Sequence, residues 1–381
     1  MTAGAGLSCA RALPAPAANG TSPAAGPVAA DPTTPVPGPP DPAAELALSY
    51  ERSCARMLSG LVKCWGLGYD DAPRTSPVAV AGIARAVQLA VGPTHACARL
   101  ESGRLRCFGA NEGGALGDGT REPATAASVD PGIEAATDVA VGTDFTCTRV
   151  GSESLCWGDN RRGSLALGTL SAGELRPVVV PALTGARALS LGGRHGLAIV
   201  EEGAVVGWGD DAHGIIGTTT AAKPAPIRLA SLLHVREIAS SSSHACARFD
   251  SGTVACWGDN DAGQLGDGTT TRRDGPAHVL GLSNVVQIAV GERTSCARHD
   301  SGAVSCWGAN EHGQLGDGTT TSRSKAARVP GLGSVAQVAV GGSHACALLI
   351  GGEVQCWGAN ANGELGDRTQ TSRNIRGPVL F

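Results

Sequence analysis

The chain has 381 residues, 42% of them hydrophobic, and a formal net charge of −4. Balanced charge gives no general case for nucleic acid or an anionic membrane surface as partner, and no run of about 18 apolar residues exists to span a bilayer. The 55 glycines and short apolar runs suit a globular all-β chain.

At the N-terminus, Cys9 lies in GLSCA and is a lipidation candidate, hence a candidate lipid anchor. The eight residues before it contain neither a basic n-region nor an apolar h-region, so no signal peptide is evident. Residues 10–45 read ARALPAPAANGTSPAAGPVAADPTTPVPGPPDPAAE. Without large apolar side chains such a segment cannot offset chain entropy, and its prolines favour extended conformations; residues 1–45 are expected to be a disordered, semi-stiff tether.

Residues 46–381 are repetitive. A truncated unit opens at Cys64 (CWGLGYDD). Looser copies begin at Cys107, Cys156 and Gly207, and close copies at Cys256 (CWGDNDAGQLGDGTTT), Cys306 and Cys356. Taking the aromatic as phase marker gives Trp65, Phe108, Trp157, Trp208, Trp257, Trp307 and Trp357, spaced by 43, 49, 51, 49, 50 and 50 residues. Seven Gly-rich units of this period indicate a propeller or a related array.

Each unit divides into four short strands, as in PAHVLG (276–281), VVQIAV (285–290), TSCARH (294–299) and AVSCW (303–307), which suggests a propeller blade. The loop DSG (300–302) between the last two suits a bulged three-residue hairpin turn. That turn sets Cys296 opposite Cys306 at a non-hydrogen-bonded site, where Cα atoms approach to about 4.5 Å, within disulfide range. Cys54 with Cys64, Cys97 with Cys107, Cys246 with Cys256 and Cys346 with Cys356 keep the separation of ten. Cys147 and Cys156 are nine apart, but their loop is one residue shorter. In the fourth unit both cysteines are missing together, replaced by Leu197 and Gly207. Joint presence, joint loss and compensated spacing point to six disulfides. Zinc would need four ligands at one point, whereas these pairs fall in separate blades. A reducing cytosol would keep the thiols free, so the chain is read as exported.

The same register sets each aromatic against a small residue: Trp65 against Ser53, Phe108 against Ala96, Trp157 against Thr146, Trp208 against Gly196, Trp257 against Ala245, Trp307 against Ser295 and Trp357 against Ala345. Large against small lets the ring lie over its own hairpin and fill the gap to a neighbouring blade.

The stretch VAVGGSHACALLIGGEVQCWGANANGELGD (338–367) resembles the repeat of the regulator of chromosome condensation family. In that repeat a Gly, then a His three residues on, precede a hairpin ending in Trp-Gly-x-Asn and a Gly-x-Leu-Gly loop. The resemblance covers about residues 46–381 and implies an all-β, seven-bladed β-propeller. The chain departs from intracellular relatives in its cysteines, where they usually carry small or hydroxyl residues. RGPVLF (376–381) matches the strand preceding each new unit, and the first unit has no convincing strand before LALSY (46–50). The C-terminal strand is therefore expected to complete the first blade and close the ring.

The acidic loop at Asp259, Asn260 and Asp261 invites calcium, but Ala110, Ala309 and Ala359 stand at the position of Asp259 and no EF-hand-type glutamate follows. No GxxxxGK[ST] motif is present, so phosphate cradling is not expected. His95, His195, His244 and His344 share one repeat position; a group repeated around a ring reads as structural, bonding a neighbouring loop. No Ser/His/Asp set or carboxylate pair stands out, so no catalytic residue, metal or cofactor is assigned and the chain is not read as an enzyme.

Unit-specific character gathers after the Gly-rich turns. Arg272, Arg273, Arg323, Lys325, Arg373 and Arg376 lie in three adjacent units and are candidate contacts for an acidic protein or an anionic cell-surface polymer. The expected function is that of an exported or cell-surface propeller scaffold, monomeric, binding a macromolecule, most plainly protein, through loops on one face. Guanine-nucleotide exchange on a small GTPase is the first alternative; it lacks an inserted hairpin wedge and a basic tail for DNA. An extracellular lyase or hydrolase is the second, and it lacks a cluster of unmatched acidic or His residues.

Overall fold

The computed structural model describes residues 41–217 and 221–381. Cys9 and all but the last five residues of the expected tether lie outside them. The described chain forms seven four-stranded antiparallel sheets, each with its strands in sequence order, and two short 3-10 turns. This is an all-β seven-bladed propeller.

Blade phase differs from the sequence expectation. The strand after each Gly-rich loop is the outer strand of the blade just built: in the fifth, Arg273–His278 pairs back onto Val254–Gly258, with Cys256 opposite Ala277. Likewise the C-terminal strand Arg373–Pro378 pairs with Val354–Gly358, Gln355 facing Pro378. It completes the seventh blade, not the first. The reason is local: the loop folds the chain back along the hairpin it has just left, so the outer strand finds its partner within its own unit. The first blade is complete without it, because Ala43–Ser49 supplies an inner strand paired to Arg52–Met57. That strand begins three residues before the sequence boundary at 46.

The ring closes by side-to-side packing. Leu46 N donates to Gln337 Oε1 at 2.7 Å while Gln337 Nε2 donates to Leu46 O at 2.9 Å. Gln287 bridges to Val338 of the next blade in the same way, at 3.0 Å for both bonds, so this seam is built like an internal one. Phe381 then sets its ring edge-on to Trp65 of the first blade, centroids 5.8 Å apart.

Within each blade the hairpin register holds as read. Cys296 pairs with Cys306, and in the shortened hairpin Cys147 pairs with Cys156 across the two-residue turn Gly151-Ser152. Gly151 and Gly302 have φ of 60° and 76°, the left-handed conformation such turns require. All six cysteine pairs are disulfide-bonded, with Cα–Cα distances of 4.0–4.1 Å. In the fourth blade the Leu197 side chain takes the space left by Gly207 and packs with Ile215, Ala245 and Trp257.

Each of the six tryptophans is at most 1% exposed and caps a cluster drawn from two blades. Trp257, for example, packs on Leu197, Val205 and Ile215 of the blade before it. Removing such a ring costs about 3–5 kcal/mol, so the indoles are the main apolar cement of the seams.

Candidate functional site

Because successive strands alternate in direction, the turn joining first to second strand and the long loop joining third to outer strand leave every blade on one face. The local chemistry of the long loop is structural. Asn260 is buried; its Oδ1 accepts from Leu265 N at 3.0 Å and its Nδ2 donates to Thr269 O at 3.2 Å and Thr271 O at 3.0 Å. Asp267 Oδ1 accepts from Thr269 N at 2.9 Å and Thr269 Oγ1 at 2.7 Å. Asn310 with Asp317, and Asn360 with Asp367, repeat this arrangement. Of the three residues that invited a metal reading, Asn260 is thus taken up by the loop backbone, while Asp259 Oδ2 lies 2.6 Å from His213 Nδ1 and Asp261 Oδ2 accepts from Arg293 at 2.8 Å. Among the described residues no group of three or more His, Cys, Asp or Glu is arranged to hold a metal ion.

The repeated histidines bridge blades. His95 Nε2 lies 2.6 Å from Thr146 Oγ1, His244 Nε2 2.7 Å from Ser295 Oγ, and His344 Nε2 2.8 Å from Ser53 Oγ. In each seam that hydroxyl and the adjacent indole N–H donate to one carbonyl: Ala115 O, Gln264 O or Glu364 O. The hydroxyl proton being spent on the carbonyl, the imidazole must donate through Nε2–H. Burial pushes His95 down to about 3, and His244 and His344 down to about 4, which keeps the rings neutral. These groups fasten the scaffold and are unavailable for proton transfer.

The six candidate basic residues are mostly engaged within the fold. Arg273 Nε is 3.0 Å from Asp267 Oδ2, Arg373 Nη1 is 3.1 Å from Asp367 Oδ2, and Arg323 pairs with Asp317. Burial alone would raise the Asp267 carboxyl, but the Thr269 bonds and Arg273 hold it below its ordinary value. Arg272 reaches Asp274 at 3.0 Å and Asp259 at 4.0 Å. Arg376 donates to Pro330 O at 2.8 Å, while Lys325 is exposed on an outer strand. The structure therefore places three of the arginines at the first position of the outer strand in three blades and joins each to a carboxylate of its own blade.

A different cluster lies on this face, at the mouth of the central channel, where Tyr50, Gly92, Val141, Gly192, Ser242, Glu292 and Gly342, one from each blade, line a common opening. Two clefts of about 450 and 410 Å³ flank Tyr50, Glu292 and Arg293. Tyr50 is half exposed. Arg293 reaches Asp261 at 2.8 Å and Glu311 at 3.7 Å, and Ser242 Oγ donates to Glu292 at 3.1 Å. Burial pushes the Glu292 carboxyl up, and its charge in turn pushes up the Tyr50 phenol. Tyr and Arg are residue types enriched at protein interfaces, whereas Asp and Glu are depleted there. The sequence reading missed this cluster because its members come from different units. A signal existed: the first turn is Tyr50-Glu51 in one unit, Gly291-Glu292-Arg293 in another and Ser241-Ser242-Ser243 in a third, so this is a position where the repeats diverge.

A family model described as an RCC1-like domain matches residues 57–380. Among curated proteins none matches. Prp20p of Saccharomyces cerevisiae, whose structure was reported with its binding to Gsp1p and histones, is 19% identical with a TM-score of 0.73, over 90% of this chain and 88% of that one. Human WBSCR16 is 20% identical with a TM-score of 0.71, over 81% and 85%. The CRINKLY ectodomain of the Arabidopsis thaliana receptor kinase ACR4 is 20% identical with a TM-score of 0.51, over 84% and 96%. At these identities the likenesses speak to the fold.

Proposed function

The chain belongs to the RCC1-like domain family, and from that premise we propose that it is a non-enzymatic, exported or cell-surface scaffold that binds a protein through its loop face. The observation that carries this reading is the set of six hairpin disulfides, one in every blade but the fourth, which belongs to an oxidising compartment. Protein is favoured over an anionic polymer because Arg273, Arg323 and Arg373 are neutralised by Asp267, Asp317 and Asp367 and Arg293 by Asp261 and Glu311, whereas the uncharged Tyr50 stands half exposed beside the clefts. Intact mass of protein from its native source, alkylated without reductant, tests it. Twelve protected cysteines support the reading; twelve alkylated ones overturn export and return guanine-nucleotide exchange to first place.

A further inference from the structure

The seam between blades one and two differs from the other six. In five of those six a leucine of the Gly-rich loop (Leu116, Leu165, Leu265, Leu315, Leu365), and in the sixth Ile215, is buried where the loop leans on the next blade. All six of those loops also offer a carbonyl to the neighbouring indole, as Ile215 O does to Trp257 Nε1 at 2.8 Å. The first blade's loop is truncated and carries no such leucine. The second blade has Phe108, which has no N–H to satisfy, and Tyr69 meets it edge-on with centroids 5.5 Å apart.

The truncation leaves a cleft of about 210 Å³, lined by the Cys54–Cys64 disulfide, Trp65, Tyr69, Val78, Phe108 and Arg52. Arg52 takes the repeat position that holds histidine in four of the other six units. It is 8% exposed, stacks 4.0 Å over the Tyr69 ring, and donates to Pro93 O at 2.5 Å and Gly68 O at 3.0 Å. Its Nε has no hydrogen-bond partner, and among the described residues no carboxylate lies within ion-pair distance of it. The nearby Asp70 is committed to Arg74 at 2.6 Å. A buried cation with no counterion is a costly arrangement unless an anion completes it.

We propose that this cleft binds a small aromatic monocarboxylate, its ring against Tyr69, Phe108 and the disulfide and its carboxylate neutralising Arg52. A dry cavity of about 150 Å³ admits benzene, so 210 Å³ holds one ring with a short acidic arm. A guanidinium beside aromatic faces suits that combination of charge and plane.

The test is calorimetric titration of the full chain with phenylacetate, with phenylacetamide as its neutral counterpart. Saturable binding of the acid, at least tenfold tighter than the amide, is expected. Arg52→Gln should weaken it tenfold or more. Val78→Trp, at the exposed rim, should abolish it without disturbing Arg52, which covers the case in which Arg52→Gln does not fold. Equal binding of acid and amide, or no binding of either, overturns the proposal. A peptide ending in Phe provides a second arm: if it binds as tightly as phenylacetate the carboxylate comes from chain ends, and if it fails while phenylacetate binds the ligand is a free acid.

Discussion

His95 Nε2 and Thr146 Oγ1, 2.6 Å apart and in adjacent blades, form a lock that recurs wherever its two halves are both present. Three of the four histidines face a hydroxyl across the seam. His195 faces Ala245, and its Nε2 is buried without a partner. Where the histidine is absent, so is the hydroxyl: Arg52 precedes Ala96, Phe145 precedes Gly196 and Thr294 precedes Ala345.

Ala245→Ser should therefore stabilise the protein by about 1 kcal/mol, because the new hydroxyl would accept from His195 and donate to Ile215 O, as Ser295 does with His244 and Gln264. Thr146→Val should cost about 1–3 kcal/mol by orphaning His95. Urea unfolding of both variants checks the pair; a destabilised Ala245→Ser would show that the lock does not transfer to the fourth seam.

The same histidines set an acid limit on stability. Folded values near 3 for His95 and 4 for His195, His244 and His344 lie below the ordinary 6.5. Between those values the unfolded chain binds more protons, so stability is fully present above about pH 6.5 and is lost as pH falls toward 4, each histidine adding up to about 1.4 kcal/mol per pH unit. His195→Thr, which copies the Thr294–Ala345 seam, should leave stability at pH 7 unharmed and make the decline shallower. Tm measured from pH 7.5 to 4.5 decides this: an unchanged slope would remove His195 from the acid response.

These seam bonds show what the sequence disclosed and what it did not. Hairpin register was legible because a short turn fixes opposition by counting, and every cysteine pair and every aromatic partner followed from it. Blade phase was not, since a period of about 50 residues gives the length of a unit without saying where each sheet begins; the outer strand's partner is chosen by the path of a loop. The histidine locks join residues about one repeat apart in different sheets, and only the matched presence of Thr146, Ser295 and Ser53 signalled them. The fate of Arg273 depended on the five residues 268–272 curling back to Asp267, which charge counting cannot see.

Each disulfide closes a hairpin of 9 or 10 residues' separation, for which chain-entropy reasoning gives about 2–3 kcal/mol. The fourth blade holds its hairpin without one, Leu197 facing Gly207, so Cys296→Ala/Cys306→Ala should fold and unfold cooperatively at lower denaturant. Reducing wild type should lower stability further, six bonds being lost together. A double variant as stable as wild type would leave the bonds with no share in equilibrium stability.

Asp267 and Arg273 separate scaffold from surface. Asp267 is 7% exposed at its side chain and anchors Thr269 as well as pairing with Arg273, whose side chain is 45% exposed. Asp267→Ala should therefore cost about 1–3 kcal/mol by releasing buried donors of the loop, whereas Arg273→Ala removes only the solvent-exposed partner, leaves Asp267 its bonds from Thr269 and should cost no more than about 1 kcal/mol. Because the arginine variant keeps its fold, it and Arg293→Ala can be compared in cross-linking capture at the native cell surface. Loss of captured protein with Arg293→Ala and retention with Arg273→Ala is expected, since Arg293 lies beside the exposed Tyr50 and the clefts while Arg273 serves its own loop. The reverse pattern would move the binding surface from the channel mouth to the outer loops.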